Sequence, residues 1–316
     1  MSEFAQLENT AAAILQEKNR QARREKLLLK IFLYILMGAI AIVLLFPYFY
    51  MIVKSLMSAE EVDNPYAGFF PKVPQFINYV TVFKTGGYGE GVLWTLCIIA
   101  FNLIAVPFSA TLIAYSFAKL RWKGRGVMFA AMLGTMMLPS AVTQLPLYII
   151  YSKLGFLNTI LPFTIPNLFG GGAVYIFLIR QFMMGIPNEL ENAAKIDGAN
   201  AFVRYSRIVV PLCKPVLIYV MVQVFLAYWG DYYGPLVYCT SATAPKTLAL
   251  VLYNFITDNS QGTKVNILMA GAVFMSVIPT ILFGIFQKQL IEGVTMGSLK
   301  GSVKLWETRM ARFVFS

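Results

Sequence analysis

Asp231 is the one acidic residue inside a long apolar run of this sequence, and Tyr228, Trp229, Tyr232 and Tyr233 crowd it. A carboxylate in such a run is functional by default, because taking it into hydrocarbon is costly. Two readings fit. In one, Tyr228, Trp229, Asp231 and Tyr232 line a pathway, the rings stacking on a substrate while the carboxylate accepts its hydroxyl protons. In the other, Asp231 bonds a helix end or water near a membrane surface, and the aromatics form an interfacial belt.

Catalytic chemistry has little to stand on. The 316 residues contain no histidine, which removes the commonest general base, every His-based metal site and every Ser–His or Cys–His pair. Cys97, Cys213 and Cys239 are odd in number and lack CxxC spacing, so they read as small apolar fillers. A GxxxxGK[ST] phosphate loop is missing, and the GTK ending at Lys264 lacks the rest of that pattern. The expectation is a non-enzymatic chain with no catalytic residues, no metal and no cofactor of its own.

The elements that position Asp231 are membrane helices. Hydrophobic residues make up 58% of the chain and charged residues 13%, and the mean hydropathy is +0.66. A soluble domain would carry about 25% charged residues. The pattern predicts an all-α membrane protein with six transmembrane helices, at about 27–53, 91–117, 127–150, 159–182, 214–237 and 266–288. A cytoplasmic tail, 1–26, precedes the transmembrane domain, 27–288, and a second tail, 289–316, follows it. Residues 1–26 have no apolar core of the kind a cleaved signal peptide needs.

Charge orients these spans. With the N-terminus inside, only Lys54, Lys72, Lys84, Lys153, Lys246 and Lys264 of the 26 Lys and Arg fall outside. The positive-inside rule then places both termini and the loop 183–213 in the cytoplasm. Two long outer loops remain, about 54–90 and 238–265. Pro65, Pro71 and Pro74 impose extended or turn structure on the first, and Phe69, Phe70, Phe76 and Tyr79 are available to dock it. Pro107, Pro139, Pro146, Pro162, Pro166 and Pro279, with Gly170, Gly171 and Gly172, interrupt several spans. Such breaks are tolerated where protein or a cavity satisfies the freed backbone, and the glycines also permit close packing.

One polar stretch, ELENAAKIDGANAFVRYSRIVVP, interrupts the apolar chain between Glu189 and Pro211. Leu190, Ala193, Ala194 and Asp197 share a helix face, a small one suited to a groove on another protein. Asp197-Gly198 reads as a turn. A second short helix follows, with Phe202, Tyr205 and Val209 on one side, Arg204 and Arg207 nearer solvent, and Pro211 at its end. An ordinary interfacial amphipathic segment is the alternative.

This stretch resembles the EAA loop of ATP-binding-cassette importer permeases: Asn192-Ala193-Ala194, Asp197-Gly198-Ala199, then Ile208-Val209-Val210-Pro211. Further segments resemble the carbohydrate branch, the maltose-type permease subunits: FFPKVPQFINY, GFLNTILPF, IRQFMMGIP, WGDYYGPLVY and QKQLIEGVTMGSLKG, in order over about 60–301. The resemblance implies the type I ABC importer permease architecture in a bacterial plasma (inner) membrane. It implies that the loop, with Glu189, Glu191, Asn192, Ala193, Ala194, Asp197, Gly198 and Pro211, is a coupling helix seated in a cytoplasmic ABC ATPase dimer that binds and hydrolyses the ATP. An extracytoplasmic sugar-binding protein would deliver sugars or oligosaccharides, and a second permease would complete a heterodimer. The family's EAA glutamate falls at Asn192, so its charge is missing; Glu191 or Glu189 compensates, or the partner permease makes the stronger contact. An importer of another nutrient is the nearest alternative. An ion-coupled secondary transporter is the other, and it would want several ionisable residues within the membrane where the sequence offers one.

Overall fold

The structure, a computed structural model, describes residues 2–84, 87–257 and 264–314, and side chains within 24–291 of these apart from residue 25. It is all-α, with no strand among the described residues. The chain opens with α1 (Ser2–Ser55), then two short loop helices, α2 (Ala59–Asp63) and α3 (Ile77–Lys84), then α4 (Tyr88–Ala118). α5 (Arg125–Thr135) and α6 (Ser140–Lys153) follow, then two 3₁₀ turns, Leu161–Phe163 and Ile165–Phe169, and α7 (Ala173–Met184). The polar stretch forms α8 (Asn188–Ile196), α9 (Ala201–Arg204), a π-helical turn (Tyr205–Val209) and α10 (Val210–Leu212). The last elements are α11 (Lys214–Trp229), α12 (Tyr233–Tyr238), α13 (Leu248–Thr257) and α14 (Val265–Val314).

Four helical stretches among the described residues are long and apolar enough to cross a membrane: Lys26–Ser55, Tyr88–Ala118, Leu161–Met184 and Val265–Ile291. Two bent pairs bring the total to six. The expected span 127–150 is α5 and α6 meeting at 99°, because Pro139 follows the apolar run and cannot continue its hydrogen bonding. The expected span 214–237 is α11 alone, which stops at Trp229 ahead of α12 and is bent by 75° from the preceding Ala201–Leu212. The expected span 159–182 has a regular helix only from Ala173; its first half is 3₁₀ and irregular. Both tails are continuous with their spans, within α1 and α14.

α4 is the central post, packed by α7, α11 and α13. Val106, Ala110 and Ala114 of α4 pack in one core with Ile176, Ile179 and Met183 of α7 and Val216, Val220 and Val224 of α11. Small residues dominate the α4 face because helix association in lipid depends on close van der Waals contact. The closest approach is at the glycine run. Gly171 has φ +64°, and a Cβ there would lie 2.6 Å from both methyl groups of Val106. The run therefore both breaks the helix and lets it touch α4.

Asn102 and Asn167 satisfy the broken backbone within this core. Asn102 Nδ2 donates to Ile98 O and Phe163 O, at 2.9 and 2.8 Å, and its Oδ1 accepts from Asn167 Nδ2 at 2.8 Å. Ser109 Oγ donates to Asn167 O and accepts from Gly170 N, at 3.1 and 3.0 Å. Irregular backbone at membrane depth persists only with such internal partners.

The segment after α1 folds back on it. Phe69 stacks on Phe46 and Phe49 and tilts against Tyr50, and Phe70 meets Phe49 edge-on; Phe70 and Phe76 both stay largely exposed. Tyr79 OH shares a 2.6 Å hydrogen bond with Ser55 Oγ. Free Cys213 and Cys239 are buried, while Cys97 is exposed.

Candidate functional site

The polar loop between α7 and α11 is built from local signals. Pro187 occupies the N-cap of α8, and Glu189 and Glu191 lie near the positive end of the helix dipole. Gly198 ends the helix with φ +82°. Its N–H donates to Lys195 O, and Ala199 N–H reaches Ala194 O, at 3.1 and 2.9 Å, the paired bonds of a Schellman cap. Asn200 Oδ1 then caps α9 by accepting from Val203 N at 2.9 Å. Pro211 lies within α10, so the chain bends after Leu212 and not at the proline.

This loop is fixed to the end of α4 by one charge cluster. Glu191 Oε1 is 3.2 Å from Lys119 Nζ, and Glu191 Oε2 is 4.0 Å from Arg204 Nε. Tyr115 OH donates to Glu191 Oε2 at 3.1 Å. Lys119 Nζ also donates to Ile186 O and Asn188 Oδ1, at 2.9 and 3.0 Å. The Lys119 side chain is 4% exposed and that of Glu191 12%. Below them the π turn aims Tyr205 at α4, where its hydroxyl meets Thr111 Oγ1 at 2.8 Å and its ring lies 5.4 Å from Tyr115.

The other expected loop residues face out. Glu189, Leu190, Asn192, Ala193, Asp197 and Gly198 are exposed, and Ala194 is half-buried. Among the described residues neither Glu189 nor Asn192 makes a side-chain hydrogen bond or ion pair. Of the two glutamates expected to compensate for Asn192, Glu191 is engaged within its own chain, which leaves Glu189 on the outer side. One expectation for the second helix is corrected. Arg204 turns inward to Glu191 and to Ala199 O, the latter at 2.7 Å, since its charge finds a carboxylate there. Phe202 is 69% exposed, at the outer edge of the face whose buried members are Tyr205 and Val209, with its ring 6.2 Å from that of Tyr205. Ile196 and Leu190 are likewise exposed. An outward face with this much apolar surface is suited to cover by another surface.

The residues around Asp231 do not converge on one cavity wall. Trp229 is 2% exposed; it stacks on Phe225 and its Nε1 donates to Met275 O at 2.9 Å. Tyr228 OH bonds Asn167 Nδ2 in the core. Asp231 Oδ1 accepts from Gly234 N at 2.9 Å, capping the start of α12. A Cβ on Gly234 would lie 2.6 Å from Asp231 Oδ2, so a side chain there would displace that carboxylate. Tyr232 alone of the four is exposed, stacked on Tyr253 at 5.0 Å. The helix-end alternative for Asp231 therefore has a bonded partner. The sequence carries no local signal for Lys119 and Tyr115 as anchors of Glu191 or for Gln144 as the partner of Tyr233, since each pair joins residues far apart in the chain.

Residues 108–295, which include the whole polar loop, match the family model described as binding-protein-dependent transport system inner membrane component. The chain belongs to that family. This inner-membrane transport component is 30% identical to the arabinooligosaccharides transport system permease protein AraQ of Bacillus subtilis, over 83% of this chain and 92% of the relative. It is 27% identical to the galactooligosaccharides transport system permease protein GanQ of the same organism, over 86% and 95%. The trehalose transport system permease protein SugB of Mycobacterium tuberculosis is 28% identical, over 73% and 84%. A chain from the crystal structure of a bacterial ABC transporter that imports the acidic polysaccharide alginate shares the fold, with a TM-score of 0.73 at 23% identity, covering 83% of this chain and 96% of that one. The transport component is thus a multi-pass protein of the inner membrane, and the matched residues include α7, α11 and the C-terminal third of α4.

Proposed function

We propose that this chain is the permease subunit of an ATP-driven, binding-protein-dependent importer of sugars or oligosaccharides, in which the loop centred on α8 couples a partner ATPase to alternating access. The observation that carries this reading is the joint itself. α8 presents an exposed outer face while Glu191, Lys119, Tyr115 and Arg204 hold its inner face to α4. Because α4 lies at the centre of the helix packing, a displacement of α8 is transmitted to the core of the membrane domain. A discrete packed element with two arrangements is what long-range coupling requires.

The sugar assignment is supported by relatives that carry arabinooligosaccharide, galactooligosaccharide and trehalose permease names. Partners follow from the family description, which presupposes a binding protein. The related alginate transporter was crystallised with its oligosaccharide-bound periplasmic protein. ATP would be bound and hydrolysed by a cytoplasmic ABC ATPase dimer, both termini would be cytoplasmic, and a second permease would complete a heterodimer. This subunit would carry no catalytic residue.

A cysteine crosslink tests the coupling role. Ala193→Cys, at an exposed α8 position, is placed in a background with Cys97, Cys213 and Cys239 replaced by Ala, and the complex is assembled with its ATPase. A crosslink to the ATPase that changes with ATP is expected. An assembled, ATP-hydrolysing complex that gives no crosslink at Asn192→Cys, Ala193→Cys or Ile196→Cys would refute it.

A further inference from the structure

The pathway residues expected from the sequence are mostly engaged inside the protein, which raises the question of what lines the pathway instead. α6 answers from its two faces. Ser140, Thr143, Gln144, Tyr148 and Tyr151 recur at helical spacing along one side. Val142, Leu145 and Ile149 form the opposite side, and all three are exposed. Within a membrane a polar side chain facing lipid is unfavourable, so the apolar side faces lipid and the polar side faces protein or water.

The polar side meets α12. At one end it is closed: Tyr151 is buried, with its ring 5.2 Å from that of Tyr238, and Tyr148 stacks on Tyr238 at 6.4 Å. At the other end it is open. Tyr233 OH donates to Gln144 Oε1 at 2.7 Å, yet Tyr233 is 54% exposed. The Gln144 amide NH2 has no protein partner among the described residues. From Tyr233 the surface continues through Tyr232, ring to ring at 6.5 Å, to Tyr253. An amide and three tyrosines follow one another from α6 through the start of α12 to α13.

We propose that Gln144 and Tyr233, flanked by the stacked Tyr232–Tyr253 pair, form a carbohydrate-contacting wall of the transport pathway and discriminate among sugars. The proposal rests on the sugar-import reading above and adds residues to it. An amide donates and accepts at adjacent positions, which matches neighbouring hydroxyls on a sugar ring. Tyrosine rings cover the apolar faces of the same ring and keep a polar tip for its hydroxyls. The wall's own side chains are one amide and three phenols, none of them from a charged residue type, so it suits an uncharged solute over an ion or an amino acid. The open Gln144–Tyr233 bond can exchange for bonds to a ligand at little cost.

The test uses the assembled transporter in liposomes, with its ATPase, second permease and binding protein, and Cys97, Cys213 and Cys239 replaced by Ala. Gln144→Cys and Val142→Cys are reacted with a charged, membrane-impermeant methanethiosulfonate. Gln144→Cys should react about tenfold faster than the lipid-side Val142→Cys, which lacks access to water. Uptake is measured with arabinotriose, galactobiose, trehalose and maltotriose. Gln144→Ala and Tyr233→Phe should each raise KM about fivefold for at least one transported sugar and reorder the preference among them, as losing one ligand hydrogen bond would. Val142→Ala should leave the preference unchanged. Equal or slower reaction of Gln144→Cys would mean that this face packs on lipid or on the second permease, and would overturn the proposal. Unaltered preference in both polar variants, with wild-type uptake intact, overturns it as well. Should the wild-type transporter import none of the four sugars while Gln144→Cys still reacts faster, the sugar-import reading falls and takes the ligand class with it.

Discussion

Glu191 of α8 lies 3.2 Å from the ammonium of Lys119 at the end of α4, and the two side chains are almost wholly buried. Lys119→Ala leaves Glu191 with Tyr115 and a distant Arg204, so a partly buried charge loses its main partner. The expected cost is about 3 kcal/mol, the lower end of the range for breaking a buried pair. A lowered Tm in detergent and uncoupling of ATP hydrolysis from uptake would show it. Exchanging the pair, Lys119→Glu with Glu191→Lys, should fail to restore stability. A carboxylate at 119 has no proton to give Ile186 O, which Lys119 now satisfies at 2.9 Å.

Gly171→Ala should destabilise the protein through two separable effects. Its φ of +64° costs an L residue about 1–2 kcal/mol, and the new methyl would meet Val106 at 2.6 Å. Overpacking of that kind adds about 1–3 kcal/mol. Val106→Ala in the same chain should recover the second effect and not the first, as read from the Tm values of a double-mutant cycle. Full recovery would show that the backbone at 171 is unstrained.

Asp231→Asn should keep the cap of α12, since its side-chain oxygen can still accept from Gly234 N. Stability and uptake within about twofold of the parent are expected, whereas Asp231→Ala should lose about 1 kcal/mol. Loss of uptake in Asp231→Asn at an unchanged Tm would instead assign the carboxylate a part in transport.

The segment between α1 and α3 should loosen in acid. Ser58 N and Lys72 N donate to the Glu61 carboxylate at 3.0 Å each, which holds its pKa below the usual carboxylate value. A depressed pKa contributes stability that is present above the unfolded value, about 4.3, and is lost as pH falls through the folded one. Hydrogen exchange across 58–72 should rise on acidification below about pH 4 in the parent. In Glu61→Gln it should be higher at neutral pH and insensitive to that change.

Local and additive features were legible before any coordinates. The all-α membrane class follows from hydropathy alone, because spanning segments must satisfy their own backbone and only long apolar helices do so here. The turn at Asp197-Gly198 and the helix before it were legible too, since a glycine in the left-handed region and a small-faced helix are written within about ten residues of chain. Asn192 at the family's glutamate position was visible, but what Glu191 does about it was not.

Tertiary structure decided which side chains are used up and which remain available. Trp229 and Asp231 stand two positions apart in an apolar run, and the sequence gives both the same prospect of meeting substrate. In the fold Trp229 bonds Met275 O and Asp231 caps α12, while Tyr232 and Tyr233 next to them stay exposed. The break at 230–232 goes with that outcome, because Trp229 ends α11, Asp231 lies in the break and Tyr233 opens α12. Hydrophobic periodicity reports how apolar a segment is; the direction of each side chain past a break depends on packing against distant elements such as α4 and α14.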